Sequence, residues 1–282
     1  MFCNIDFKLI QKSKLFEREE NELKHIVTVN AQFIVLANTN ERFMKIVNNN
    51  YATFDGEVPL KFARMTREYK KAEAIKGSEI IYDFIDYAQQ RDMSIFLLGG
   101  KESSNKKSVD IIRNKYGVSV QGYSPQYDEY PFSSVFCEVS IKNIREFCPD
   151  ILFVGLGAPK QEYFIDDHKD IFKQLGIKYV IGCGGTFEFL SGNIKRAPKW
   201  VSEIGLEGFY RLFQEMTLVR MKRILFSFKF FKYLWKSPSF PRPIEIKINQ
   251  QICKAILALK EKRIPRHKTK MIGLNKSFKR LY

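Results

Sequence analysis

The chain has 282 residues, 45% of them hydrophobic and 14% aromatic, which is enough to bury one large core with an appendage and argues against disorder throughout. The formal net charge of +16 is unevenly spread, because residues 193–282 hold 22 Lys/Arg against 5 Asp/Glu and the remainder is close to neutral. The five scattered cysteines (Cys3, Cys137, Cys148, Cys183, Cys253) form no CxxC pair, which argues against a zinc knuckle or a disulfide framework and for a reducing compartment.

The opening MFCNIDFKLIQKSK has no apolar stretch long enough for a signal peptide, and nowhere do about 18 uncharged apolar residues run together, so no membrane span is expected. From His25 to Phe189 short β-rich runs then alternate with helical patterns: HIVTV (25–29), YATF (51–54), SIFLLGG (94–100), GVSVQGY (117–123), ILFVGLG (151–157) and KYVIGCGG (178–185). Between them Ile81, Phe84, Ile85 and Ala88 recur at helical spacing within 78–90, and a second helix is predicted over 104–116. This order predicts an α/β, Rossmann-like fold, a mostly parallel sheet flanked by helices.

Beyond Lys195-Arg196-Ala197-Pro198 the pattern changes to basic, aromatic helices, and Ser237-Pro238-Ser239-Phe240-Pro241 breaks the chain before a Lys-rich tail. The expected organisation is a catalytic core over 1–192, a basic helical C-terminal appendage over 193–236 and an extension over 237–282. A near-neutral body with a basic, aromatic end suits an anionic surface, either lipid headgroups or nucleic acid phosphates.

In parallel sheets ligands sit beyond the carboxyl ends of the strands, which selects four segments. Thr28 and Asn30 follow the first strand with a hydroxyl and a carboxamide able to bond a sugar or phosphate, although Asn30 also suits a plain helix N-cap. Asp55-Gly56 ends the second strand with a carboxylate that could act as a general base, and equally has the form of a common turn. Gly155 to Glu162 is expected to be a glycine turn into a helix opened by Pro159 at its first position, where backbone amides, Lys160 and Gln161 could hold a diphosphate. Gly182 to Gly192, with Gly184 and Gly185, repeats that arrangement, or merely permits a tight turn. Cys183 has no histidine near it in sequence and is expected to be a packed thiol. Neither DxD, HxxH nor HExxH is present, so no metal site is expected.

Taken in this order, TVNAQF, FDGEVP, GSEIIYDF, FLLGG, VGLGAPKQE, GCGGTFEFLSG, KRAPKW and LEGFYRLFQE resemble the WecG/TagA/CpsF family, glycosyltransferase family 26, over about Thr28 to Trp235. The resemblance implies an inverting, metal-independent enzyme that needs no cofactor. It would move a sugar such as N-acetylmannosamine from a UDP-sugar donor to an undecaprenyl-diphosphate-linked saccharide, as a peripheral protein on the cytoplasmic face of the membrane. It also implies Asp55 as catalytic base and Thr28, Asn30 and Gln161 as polar pocket residues, with Gly157, Lys160, Gly184 and Gly185 in the same cleft. An appendage that closes over the site would supply Arg196, Arg211 and Arg220. Two departures stand out: the family's Glu-Pro is Glu215-Met216 here, and Leu218 occupies the place of a second arginine, for which Arg220 is the candidate substitute. Another UDP-hexose or a hexuronic acid donor is the near alternative. A nucleic-acid-binding module lacks any recognised motif, so no nucleic acid partner is expected, and a nicotinamide-dependent oxidoreductase lacks GxGxxG.

Overall fold

The computed structural model describes residues 1–198, 201 and 206–237. Met1–Pro241 forms one compact unit, and residues 242–282 lie outside the described residues. Six strands make one all-parallel sheet in the order β2-β1-β6-β5-β3-β4. They are β1 (Lys24–Val29), β2 (Tyr51–Phe54), β3 (Ile95–Gly99), β4 (Val120–Tyr123), β5 (Ile151–Gly155) and β6 (Tyr179–Gly182). Five fall within the runs read from the sequence, and β1 begins one residue before its run, at Lys24. The glycine-bearing ends of three runs leave the sheet earlier than the apolar pattern implies, because Gly99, Gly157 and Gly184 adopt φ of +93°, +79° and +52°, which ends the extended conformation.

The central strands are buried on both faces and read as continuous apolar runs, the usual mark of a parallel sheet covered by helices. On one face α4 (Gly77–Arg91), α5 (Glu102–Tyr116) and α8 (Thr186–Leu190) pack on Ile26, Ile95, Leu97, Phe153 and Ile181. On the other, α1 (Ala31–Thr39), α2 (Glu41–Asn49) and α3 (Glu57–Ala63) pack on Val27, Val29 and Phe54. Alongside them, α6 (Ser134–Phe147) and α7 (Lys160–Gln174) pack on Phe96, Leu98, Leu152, Val154 and Val180. After β1 the chain therefore turns to one face and after neighbouring β6 to the other. The two connections diverge and leave a crevice at the carboxyl ends of β1 and β6, which is where this topology places a ligand.

The first nine residues contribute a part of the core for which the sequence offers no periodic signal. Phe2, Ile5, Phe7 and Leu9 are buried, and Phe7 stacks on Phe54 at 3.8 Å between ring centroids. Burying each such ring stabilises the fold by roughly 1.5–3 kcal/mol. The same segment reaches α11 (Phe230–Lys236), where Phe2 lies 6.4 Å from Phe230 and the Cys3 N–H donates to Ser237 Oγ at 3.1 Å. Before it run α9 (Glu207–Glu215) and α10 (Leu218–Ser227), separated at Met216, whose φ of +42° ends α9. Thr217 then caps α10, its side chain accepting from the Arg220 N–H. Among the described residues no helix is long and apolar enough to cross a membrane.

Candidate active site

Parallel pairing of β1 with β2, with Thr28 opposite Thr53 and Val29 opposite Phe54, carries Asn30 and Asp55 side by side just past the strand ends. The Asp55 N–H donates to Val29 O at 3.0 Å, extending the ladder by one residue and fixing where the carboxylate starts. Asn30 is the helix N-cap and at the same time faces Asp55. Its Oδ1 accepts from the Phe33 N–H at 3.2 Å as the N-cap of α1, and its Nδ2 donates to Asp55 Oδ2 at 3.4 Å. The cap thus turns the donor end of the amide toward the carboxylate. The other oxygen, Asp55 Oδ1, accepts from the Gly77 N–H at the start of α4 at 2.6 Å. Gly77 must be small there, since a Cβ would stand 3.1 Å from Thr28 Oγ1. Thr28 Oγ1 in turn donates to Gly182 O at 3.3 Å and joins β1 to the β6 loop.

Asp55 is half-buried at the floor of this crevice, and its pKa is pushed up from 3.8 to about 7. Loss of solvation is the main cause. The Gly77 N–H pulls it back down, Glu207 on α9 adds repulsion, and Asn30 and Lys76 favour the charged form. A carboxylate that titrates near neutrality is matched to accepting a proton from an alcohol.

The opposite wall comes from the two glycine loops. Gln161 Oε1 accepts from the Gly157 N–H at 3.1 Å and from the Gly184 N–H at 3.0 Å, so one amide of each glycine loop is bonded to the same side-chain carbonyl. Gly157, Gln161, Gly184 and Gly185 all line the cleft, and Cys183 lies beside them with burial raising its thiol pKa. The appendage supplies a further part of the lining: Glu207, Phe209, Arg220, Arg223, Phe228 and Phe231 border the same cleft as Asp55, Asn30 and Gln161, with a volume of about 500 Å³, ample for a small-molecule ligand.

Some expected cleft residues sit elsewhere. Lys160 does not line the cleft: its Nζ donates to Asp128 O at 2.8 Å and lies 4.1 Å from the Tyr127 ring centroid. Successive helical residues point about 100° apart, so with Gln161 facing inward Lys160 faces out. Pro159 is the N-cap of α7 rather than its first helical residue. Arg196 donates to the Ser78 carbonyl at the rim and lies 4.9 Å over Tyr82, outside the cleft wall. The Arg211 side chain lies outside the described residues. Arg223, not among the candidates read from the sequence, lines the cleft, its Nη2 3.9 Å from the position a Gly157 Cβ would take. Its spacing of three from Arg220 on one helix was the available signal. Gly77 and Thr186 had none, since one acts through its amide and the other through a buried bond from Oγ1 to Gly77 O at 3.2 Å.

A sequence model of the glycosyl transferase WecG/TagA/CpsF family matches residues 4–241. The chain belongs to this family. Among its relatives, an N-acetylglucosaminyldiphosphoundecaprenol N-acetyl-beta-D-mannosaminyltransferase of Bacillus subtilis (strain 168) is 31% identical over 202 residues, covering 71% of this chain and 74% of the relative. A protein of the same name from Staphylococcus aureus (strain MRSA252) is 27% identical over 210 residues, covering 74% and 77%. The WecG/TagA/CpsF match extends from the N-terminal hook through α11, so core and appendage both lie within the family's shared length.

Proposed function

We propose that this glycosyltransferase moves an N-acetylmannosaminyl group from a UDP-sugar to N-acetylglucosaminyl-diphospho-undecaprenol, with inversion and with Asp55 as general base. The names of its relatives supply the donor sugar and acceptor. The observation that carries the chemistry is the Asp55 carboxylate, held by the Gly77 N–H and Asn30 on the floor of a cleft that Arg220 and Arg223 also line. In one displacement the acceptor hydroxyl gives its proton to Asp55 as its oxygen bonds the anomeric carbon. The bond from that carbon to the diphosphate oxygen breaks, and its electron pair leaves with UDP. Two guanidiniums suit that moment, since each presents forked donors and stays charged as the leaving group gains negative charge.

Acceptor delivery would occur at the cytoplasmic face of the membrane. Phe213, Met216, Leu218, Leu225 and Trp235 are exposed on α9 to α11, interleaved with Lys222, Lys229, Lys232 and Lys236, as an interfacial helical surface requires. Leu234 of α11 is buried against the core and is not part of that surface. The test is a donor screen. Full-length protein is incubated with a panel of UDP-sugars and a short lipid-diphosphate-linked N-acetylglucosamine, and UDP release is scored with and without EDTA. Acceptor-dependent release from UDP-N-acetylmannosamine that survives EDTA is expected. Release from a different UDP-sugar alone would replace the donor, and EDTA-sensitive release would overturn the metal-independent mechanism.

A further inference from the structure

The cleft wall opposite Asp55 depends on which way round one carboxamide stands. Register between β5 and β6, with Val154 opposite Gly182, sets their two loops side by side, and Gln161 bridges them by accepting from one amide of each. A carboxamide has two ends of nearly the same shape, and only its hydrogen bonds decide which faces where. Turned over, Gln161 would aim an NH2 at two N–H donors and the bridge would be lost.

A third contact, on the other end of the amide, backs the orientation that those two amides set. Gln161 Nε2 donates to Glu162 Oε1 at 2.7 Å, with both side chains buried, at 2% and 1% exposure. Glu162 itself does not line the cleft, and it lies directly behind Gln161. The space that the pair fills is made by Gly182, where a Cβ would stand 2.7 Å from both Gln161 Nε2 and Glu162 Oε1. Strand β6 therefore ends in glycine so that this hydrogen bond can exist. The arrangement is costly as pure structure: Glu162 Oε2 is buried with no hydrogen-bond partner, and burial pushes the carboxyl up to about 7. An apolar side chain of the same volume would be cheaper at that position, which is the mark of a residue kept for what it orients.

We propose that Glu162 is a positioning residue for the donor side of the cleft, locking the Gln161 carboxamide so that it cross-links the Gly157 and Gly184 loops opposite Arg220 and Arg223. The proposal rests on the reading of that wall as the place of the UDP diphosphate.

The experiment uses the full-length chain and the variants Glu162→Leu, which fills the volume without an acceptor, Glu162→Gln, which restores a carbonyl, and Gly182→Ala, which attacks the same contact from the strand. Three readouts are taken: thermal stability, amide hydrogen exchange in peptides spanning Gly157 and Gly184, and donor KM separately from kcat. Glu162→Leu is expected to melt no lower than the parent, to exchange faster in both loops, and to raise donor KM about 10–100-fold with a smaller change in kcat. Gly182→Ala should reproduce the exchange and KM changes, and Glu162→Gln should restore donor KM to within a few-fold. Adding Gln161→Ala to Glu162→Leu should bring little further loss, because the two act as one unit. Unchanged exchange and donor KM in Glu162→Leu, or losses that multiply in the double variant, would overturn the proposal. If the parent releases no UDP from any donor while both loops still loosen in Glu162→Leu, the transferase reading fails and the positioning role stands.

Discussion

The sheet and the appendage are built from the same apolar residue types and use them in opposite ways. In the sheet Phe96, Leu97, Phe153 and Ile181 are fully buried, each strand covered by helices on both faces. Among the described residues of α9 to α11 only Phe230 and Leu234 are comparably buried, while Phe213 and Met216 are 77% and 83% exposed. The appendage joins the core through Phe230 and Leu234, lines the cleft with Arg220 and Arg223, and presents another face that stays exposed among the described residues.

The largest expected effect comes from breaking the core's contribution to the chemistry. Asp55→Asn should fold and lower kcat about 10²–10⁴-fold, measured as acceptor-dependent UDP release. Phe153→Ala breaks the core itself and should cost about 3–5 kcal/mol by denaturant unfolding, since the ring is fully buried between the strands and α4. On the appendage side, Arg220→Ala and Arg223→Ala should each reduce kcat/KM about 10–100-fold in the UDP-release assay, because each removes a forked donor from the cleft lining.

Titration sharpens the same contrast. With Asp55 pushed up to about 7, kcat/KM should fall about tenfold per pH unit below neutrality as the base takes a proton. Stability runs the other way. The folded state binds the extra proton between about pH 4 and pH 7, so this carboxyl's contribution declines as pH rises through that window. Asp55→Asn should therefore melt a few degrees above the parent at pH 8, at about 2–4 °C per kcal/mol recovered, and the gain should vanish near pH 4. The smallest effect on stability belongs to the uncovered face. Phe213→Ser combined with Met216→Ser should change unfolding free energy by less than about 0.5 kcal/mol yet reduce flotation with anionic liposomes; unchanged flotation would break the assignment of that face.

Much of this was legible along the chain because apolar alternation and glycine-ended runs are local signals. All six strands and the helices over Gly77–Arg91 and Glu102–Tyr116 were placed within a few residues. The buried N-terminal hook was not, since Phe2, Ile5 and Phe7 follow neither a helical nor a strand period and gain their burial from β2 and α11. Asp55, Thr28, Asn30 and Gln161 were legible as polar residues at strand ends, and they do meet in one cleft. Lys160 and Arg196 carried equally plausible chemistry and face elsewhere, while Arg223, not among those candidates, lines the cleft.

By itself, then, the sequence determined the layered α/β architecture, the basic appendage and the residue types available at the carboxyl edge, because propensity, hydrophobic period and charge are properties of neighbours along the chain. Only the tertiary structure decided which of those groups face one another. The insertion of β6 beside β1 joins segments some 150 residues apart, and the room left by Gly182 depends on how β6 and α7 pack. That packing commits the Gly157 and Gly184 amides to Gln161, and the fold puts Arg220 and Arg223 in the lining of the cleft that holds Asp55.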